Sequence, residues 1–321
     1  MKKRILSGIQ PTGEVHLGNY FGMMKSAIDM QDGGETYLFI ADLHALTSSL
    51  EPEALRKNSF SVALDFLSCG LDPAKTVFFR QSDVPEVTEL SWILSCQTSM
   101  GLLERCHSYK DKTARGMVPN HGLFAYPVLM AADILIYKSN LVPVGKDQKQ
   151  HLEVTRDIAI KFNNRYGNVL VIPEAMIRDE TAVVPGTDGQ KMSKSYGNTI
   201  ELFGDEKVLK KKIMGIITDS KGLDDSKNPD ECIPFQLYKL FAAPEQIAAV
   251  ADKLRNGGYG YGHAKKDLFD AYWEHFRPFR SRREELLKDP SQVEKILSEG
   301  AKKARNTAQN VICEIRKAVG L

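Results

Sequence analysis

Ile5-Leu6-Ser7-Gly8-Ile9-Gln10-Pro11-Thr12-Gly13-Glu14-Val15-His16-Leu17-Gly18-Asn19-Tyr20 runs from a short apolar stretch through a Pro-Thr-Gly turn into a helical pattern. A strand feeding a helix in this way is the opening unit of a parallel α/β sheet. Working outward, Tyr37-Leu38-Phe39-Ile40, Val77-Phe78-Phe79 and Val142-Pro143-Val144 read as further strands. Helical patterns over 18–31, 52–69, 86–100, 123–138 and 148–165 lie between them, with Pro52 in a first turn and Gly70 just past an end. The alternation predicts a doubly wound α/β domain with a parallel sheet. Ligands of such sheets bind at the carboxyl ends of the strands, so chemistry is expected in the loops after Leu6, Ile40 and Val144.

Beyond residue 200 the strand signals fade and charged helical patterns take over, their starts marked by Pro229, Pro234, Pro244 and Pro290. The expected organisation is therefore a Rossmann-type domain over 1–200 and a mostly helical domain over 201–321, with the last helix packing back on the first domain. A length of 321 residues suits one large core and a smaller second unit. With 43 basic and 41 acidic residues, the formal charge of +2 provides no whole-molecule field for nucleic acid, so any polyanion site must be local. The five cysteines are scattered, without a CxxC pair, and read as reduced cytosolic thiols rather than zinc or redox ligands. Ile5-Leu6 is too short for a signal-peptide core, and no apolar run approaches the ~20 residues that span a bilayer. A soluble, cytoplasmic protein is expected.

Two separated segments carry phosphate chemistry. In the first, a helix N-terminus offers backbone N–H groups and a positive dipole, Gly18 leaves room for close approach, and His16 and Asn19 share one face as donors. Taken alone, a turn followed by one histidine is equally an ordinary structural turn. The second, Lys191-Met192-Ser193-Lys194-Ser195, sets two lysines and two hydroxyls in a loop bordered by Gly186, Gly189 and Gly197. Lysines so placed can neutralise the charge that builds on a departing pyrophosphate, whereas a lone Lys/Ser loop is usually just a solvated one. The ordered pair is far more specific than either half.

With these residues in view the chain resembles the class I aminoacyl-tRNA synthetases. His16-Leu17-Gly18-Asn19 stands as their HIGH-type motif, ending in Asn19 as in the tryptophan and tyrosine subgroup, and residues 191–195 are an intact KMSKS. The resemblance implies activation of an amino acid by ATP with Mg2+, release of pyrophosphate and transfer to the 3′ end of tRNA. The substrate carboxylate is then the nucleophile, and no catalytic triad is needed. His16, Asn19, Lys191 and Lys194 are the implied catalytic residues. Lys112 aligns with a family loop lysine near the ATP phosphates, although it also reads as a surface charge. The implied ATP site adds Gln10, Pro11, Thr12, Gly18, Gly145, Lys146, Asp147, Val184, Met192, Ser193 and Ser195. No resident metal site is expected, and the helical half, with only the widely separated Cys232 and Cys313, argues against an iron–sulfur cluster.

The amino acid is read from a third segment. In Tyr126-Pro127-Val128-Leu129-Met130-Ala131-Ala132-Asp133-Ile134-Leu135, Tyr126, Met130 and Asp133 line one helix face. A carboxylate on so apolar a helix is costly to bury without a donor, and an indole N–H is such a donor. A surface position or an arginine partner would serve Asp133 as well. The segment resembles the YPxLMAADIL stretch of the tryptophanyl-tRNA synthetases, and Val142-Pro143-Val144-Gly145-Lys146-Asp147-Gln148-Lys149-Gln150-His151 resembles their VPVGxDQxQH, where tyrosyl enzymes usually have GSDQ. The resemblance implies that Asp133 meets the indole nitrogen and that Tyr126 and Gln148 help hold L-tryptophan. Met130, Val142 and Val144 are expected as apolar walls, and His44 as a pocket wall or a packing histidine. Asp147 reads both as a ribose acceptor and as an N-cap. A homodimer and tRNA(Trp) bound by the helical domain are implied by the family alone. A tyrosyl enzyme and a small-molecule nucleotidyltransferase are the alternatives.

Overall fold

The computed structural model describes residues 3–48, 51–106, 120–145, 149–177 and 183–321. By their contacts these fall into two compact units, one of 1–13, 27–179 and 289–321, the other of 14–26 and 180–288. This division departs from the expected boundary at residue 200. The motif segment after Gly13 and the lysine loop both belong to the second unit, and the last helix belongs to the first.

The first unit is built on five parallel strands, β1 (Arg4–Ile9), β2 (Glu35–Ile40), β3 (Thr76–Arg80), β4 (Leu141–Val144) and β5 (Glu174–Ile177), in the order β3-β2-β1-β4-β5. The four strands expected from the apolar runs are present. The fifth escaped notice because it is a four-residue edge strand behind Pro173 that draws its ladder from β4, from Leu141↔Glu174 to Val144↔Ile177, rather than from its own apolar pattern. β1 pairs with β2 along its whole length, from Arg4↔Glu35 to Ile9↔Ile40, but meets β4 in the ladder at Ile5↔Leu141. The strand order reverses between β1 and β4, which is where open α/β sheets form their ligand crevice.

Helices Pro52–Ser68, Glu86–Ser95, His121–Ile136 and Lys149–Tyr166 follow the expected pattern. The final helix, Pro290–Val319, turns a stripe of Val293, Leu297, Ala301, Ala304, Ala308, Val311 and Ile315 inward. Its spacing of three and four residues is what carries a C-terminal segment back onto the core of the first unit, where Ala301, Ala304 and Ile315 join Phe79, Leu90 and Leu135. Arg80–Glu294, Arg305–Glu86, Arg316–Glu89 and Lys138–Glu314 flank that stripe as ion pairs of 2.5–2.8 Å.

In the second unit, Glu206–Met214, Ile233–Tyr238, Pro244–Asn256, Tyr261–His275 and Arg277–Lys288 are helical, with Pro234 and Pro244 in first turns as their missing N–H groups favour. Tyr20, Phe21, Phe241, Tyr272, His275 and Phe276 form an aromatic cluster with centroid spacings of 4.9–6.4 Å. That cluster anchors the helical run beginning at Leu17, which includes a π turn over Tyr20–Met24. No described helix is long and apolar enough to cross a membrane.

Candidate active site

The two phosphate segments, 174 residues apart in sequence, are in direct contact within the second unit. Leu17 N–H donates to Ile200 O at 2.9 Å, and Leu202 N–H donates to Val15 O at 3.1 Å. Gly18 N–H points at Met192 Sδ at 3.4 Å. A Cβ on residue 18 would stand 3.0 Å from the His16 ring and 3.4 Å from Met192 Cβ. A side chain at residue 18 would therefore crowd the His16 ring first, while only touching Met192.

These bonds correct one expectation. The first-turn N–H groups are not free for phosphate: Leu17 gives its proton to Ile200 O, Gly18 faces Met192, and Asn19 N–H donates back to His16 O at 2.9 Å. Donors for an anion must come from side chains instead. Asn19 Oδ1 accepts from His16 N–H at 3.3 Å, which turns its amide nitrogen away as a donor. Burial, then the Lys194 charge, pushes His16 down to about 4, against an upward pull from Glu201. Near neutral pH His16 is therefore an uncharged imidazole, a donor through one ring nitrogen only.

The lysine loop is organised by a residue the sequence reading passed over. Buried Asn198 accepts Ser193 N–H on Oδ1 at 2.8 Å and donates from Nδ2 to Asp188 Oδ1 at 2.7 Å and Lys191 O at 3.2 Å. Met192 N–H donates to Val184 O at 2.9 Å and Gly186 N–H to Gln190 O at 2.7 Å, closing a hairpin under the lysines. Val184 is buried with its carbonyl engaged, and the Val183–Val184 pair is not part of a sheet strand. Lys191, Lys194 and Ser195 are on the exposed side.

In the first unit, Asp133 is 1 % exposed on the His121–Ile136 helix. Its Oδ2 lies 2.8 Å from His44 Nε2, and Gln81 Nε2 donates to Oδ1 and Oδ2 at 2.9 Å each. The donors that a buried carboxylate needs are supplied by the chain itself, through His44 and Gln81 rather than an arginine or a surface position. His44 is buried and hydrogen-bonded to Asp133, which fits the reading of it as a satisfied packing histidine. Burial raises the Asp133 carboxyl, while His44 and Gln81 act to hold it down. Gln81, 1 % exposed, was not singled out from sequence. Its one visible signal is its place immediately after β3, at the carboxyl end of the sheet.

Tyr126 lies on the same helix and its hydroxyl contacts His151 Nε2, so the last residue of the second tryptophan-type segment is tied to the first. Val142 and Val144 are buried on β4 within the main apolar core, and Met130 packs against that core. Gln10, Pro11 and Thr12 follow β1 and Gly145 follows β4, on either side of the strand-order reversal, with Thr12 N–H closing on Gln10 O at 3.0 Å. Lys112, Lys146, Asp147 and Gln148 lie outside the described residues. A cavity of about 490 Å³ is lined by Leu43, Leu46, Thr88, Ser91, Tyr126 and Leu129 among others, but not by Asp133, Met130, Val142 or Val144.

Parallel strands with a reversal at β1 and β4, and a HIGH-type turn packed on a KMSKS loop, define a class I aminoacyl-tRNA synthetase. The family described as tRNA synthetases class I (W and Y) matches residues 1–277. The tryptophan–tRNA ligase of Rhodopirellula baltica is 54 % identical over 318 residues, 99 % of each chain, and that of Fusobacterium nucleatum is 54 % identical over 320 residues, 99 % of this chain and 98 % of the relative. The crystal structure of Campylobacter jejuni tryptophanyl-tRNA synthetase complexed with ADP and tryptophan superposes with a TM-score of 0.95 at 51 % identity, covering 99 % of this chain and 100 % of that one. The chain belongs to the tryptophanyl-tRNA synthetase family. A tyrosyl-tRNA synthetase from Archaeoglobus fulgidus, at 20 % identity and a TM-score of 0.67, shares the fold alone.

Proposed function

We propose that the chain activates L-tryptophan with ATP and charges tRNA(Trp), with the two packed signatures handling the phosphates and Asp133 selecting the amino acid. A tryptophan carboxylate oxygen attacks the α-phosphorus, the bond to the pyrophosphate bridging oxygen breaks, and tryptophanyl-adenylate forms. A terminal ribose hydroxyl of the tRNA, initially the 2′, then attacks the acyl carbon and AMP leaves. Neutral His16 and the Asn19 amide donate to phosphate oxygens, and Lys191 and Lys194 balance the charge of the leaving pyrophosphate. The observation that carries this reading is the contact of Gly18 with Met192, which sets His16 within reach of the Lys194 charge.

Support for the ATP and tryptophan assignments comes from the relative solved with ADP and tryptophan. By family resemblance Mg2+ would arrive coordinated by the ATP phosphates. When bound it neutralises phosphate charge. Gln10, Pro11, Thr12 and Gly145, and Lys112, Lys146 and Asp147 by family resemblance, complete the nucleotide site. Tyr126, Met130, Gln148, Val142 and Val144 complete the amino-acid site.

The helical part of the second unit receives the tRNA anticodon in this reading. Several of its basic residues already have partners: Lys212 pairs with Glu201 at 2.6 Å and the Arg280 guanidinium stacks 3.5 Å over Trp273. The protein works in the cytoplasm as a homodimer. Trp92, Leu46 and Met100 are large apolar side chains exposed on the first unit, and Trp92 is the one chosen to test self-association. The test is ATP/pyrophosphate exchange with each of the twenty amino acids, for the wild type and Asp133→Ala. Exchange with tryptophan alone is expected, and in the variant a tryptophan preference reduced at least tenfold with KM for ATP nearly unchanged. Exchange driven equally by tyrosine in the wild type, or an unaltered preference in Asp133→Ala, overturns the assignment.

A further inference from the structure

The surroundings of Asp133 contain a residue that no motif includes. Gln81 is fixed at both ends of its amide. Its Oε1 accepts the N–H groups of Leu43 at 3.1 Å and His44 at 3.3 Å. A glutamine amide has one acceptor end and one donor end, so with Oε1 turned to two backbone donors, Nε2 must face Asp133 as the donor. The two backbone donors belong to the short Asp42–Ala45 helix, which Asp42 also holds, accepting Leu43 N–H and Ser82 N–H at 3.0 Å each. Gln81 therefore sits in a rigid frame made from the segments after β2 and after β3.

A carboxylate has about four acceptor positions. On Asp133, Oδ2 meets both His44 and Gln81, while Oδ1 meets Gln81. One position on Oδ1 is left by this count for a further donor. We propose that Gln81 is the positioning residue of tryptophan selection: it holds Asp133 as an oriented acceptor whose remaining position on Oδ1 is reserved for an indole N–H. The inference rests on the reading that Asp133 recognises the indole, and deepens it. Without the amide, a fully buried carboxylate keeps His44 alone, turns more freely and takes up a proton more readily. Selection for an N–H donor then weakens although Asp133 itself is intact. Gln81 does not touch substrate in this scheme.

The experiment compares tryptophan with the alanine derivative carrying benzothiophene, whose ring has sulfur where indole has N–H, in ATP/pyrophosphate exchange by the full chain. The variants are Gln81→Met, which removes both amide functions, and Gln81→Glu, which keeps the acceptor toward Leu43 and His44 but sets a carboxyl group against Asp133. In both, KM for tryptophan is expected to rise about tenfold, KM for ATP to stay within about twofold, and the wild-type preference for tryptophan over the sulfur analogue to fall about tenfold. If both variants keep the wild-type preference, Gln81 has no such role. If Gln81→Glu keeps it and Gln81→Met loses it, the backbone contacts alone matter and the proposal fails. A wild-type enzyme indifferent to the sulfur replacement overturns the indole reading of Asp133 itself, an outcome separate from failure in the variants.

Discussion

His16 combines a catalytic assignment with a measurable cost to the fold. Held down to about 4 by burial and Lys194, it stays uncharged while the same residue in the unfolded chain titrates near 6.5. Between those values the unfolded chain takes up a proton that the folded chain refuses. His16 therefore lowers stability as pH falls from 6.5 toward 4, and contributes no slope above that window. Urea unfolding at pH 7, 5.5 and about 4.5 should show a midpoint that drops more in wild type than in His16→Asn. Equal drops in the two proteins would mean that His16 is not held neutral. The same neutrality bears on catalysis, because His16 offers phosphate a hydrogen bond without adding a positive charge, leaving charge compensation to Lys191 and Lys194.

At the scale of elements, the Pro290–Val319 helix depends on a glycine. A Cβ on Gly300 would stand 1.8 Å from the carbonyl oxygen of Phe78 in β3, closer than any side chain allows. At that point the helix backbone lies directly against the strand, with the apolar stripe and the ion pairs on either side of it. Gly300→Ala should cost about 1–3 kcal/mol through displacement of the helix from the strand, read as a lowered urea midpoint. An unchanged midpoint would show that the close approach is not required. The flanking ion pairs are half-exposed at one end or both and are worth roughly 0–1 kcal/mol each, less than the stripe they border.

At the scale of the whole molecule, Trp92 is 72 % exposed, with Leu46 at 58 % and Met100 at 64 %. A homodimer, which the family implies, would cover apolar side chains of this kind. Sedimentation is expected to show a dimer for wild type and a monomer for Trp92→Glu, since a buried charge at the centre of such a contact is poorly tolerated. A wild-type monomer, or a dimer undisturbed by the glutamate, would remove this surface from the assembly. The exposed apolar group carries no periodic signal, because Leu46, Trp92 and Met100 are separated in sequence and meet solvent through the fold.

Local chemistry made much of this protein legible in its sequence. The first four strands, the helices between them, the proline-marked helix starts and the two phosphate signatures follow from periodicity, turn residues and residue types that act over a few positions. Tertiary structure alone decided what those parts touch. The first-turn N–H groups read as free are engaged by Ile200 and Met192, and Asp133, read as needing a donor, is met by His44 and Gln81. Gln81 leaves no motif because its role is set by a partner distant in the chain, Asp133, 52 residues away, whereas Asn198 bonds Ser193, Asp188 and Lys191 only after the loop has folded back on itself. Sequence fixes which donors and acceptors a segment offers; an unpaired buried polar group is costly, so most are paired, and only the folded chain decides with whom.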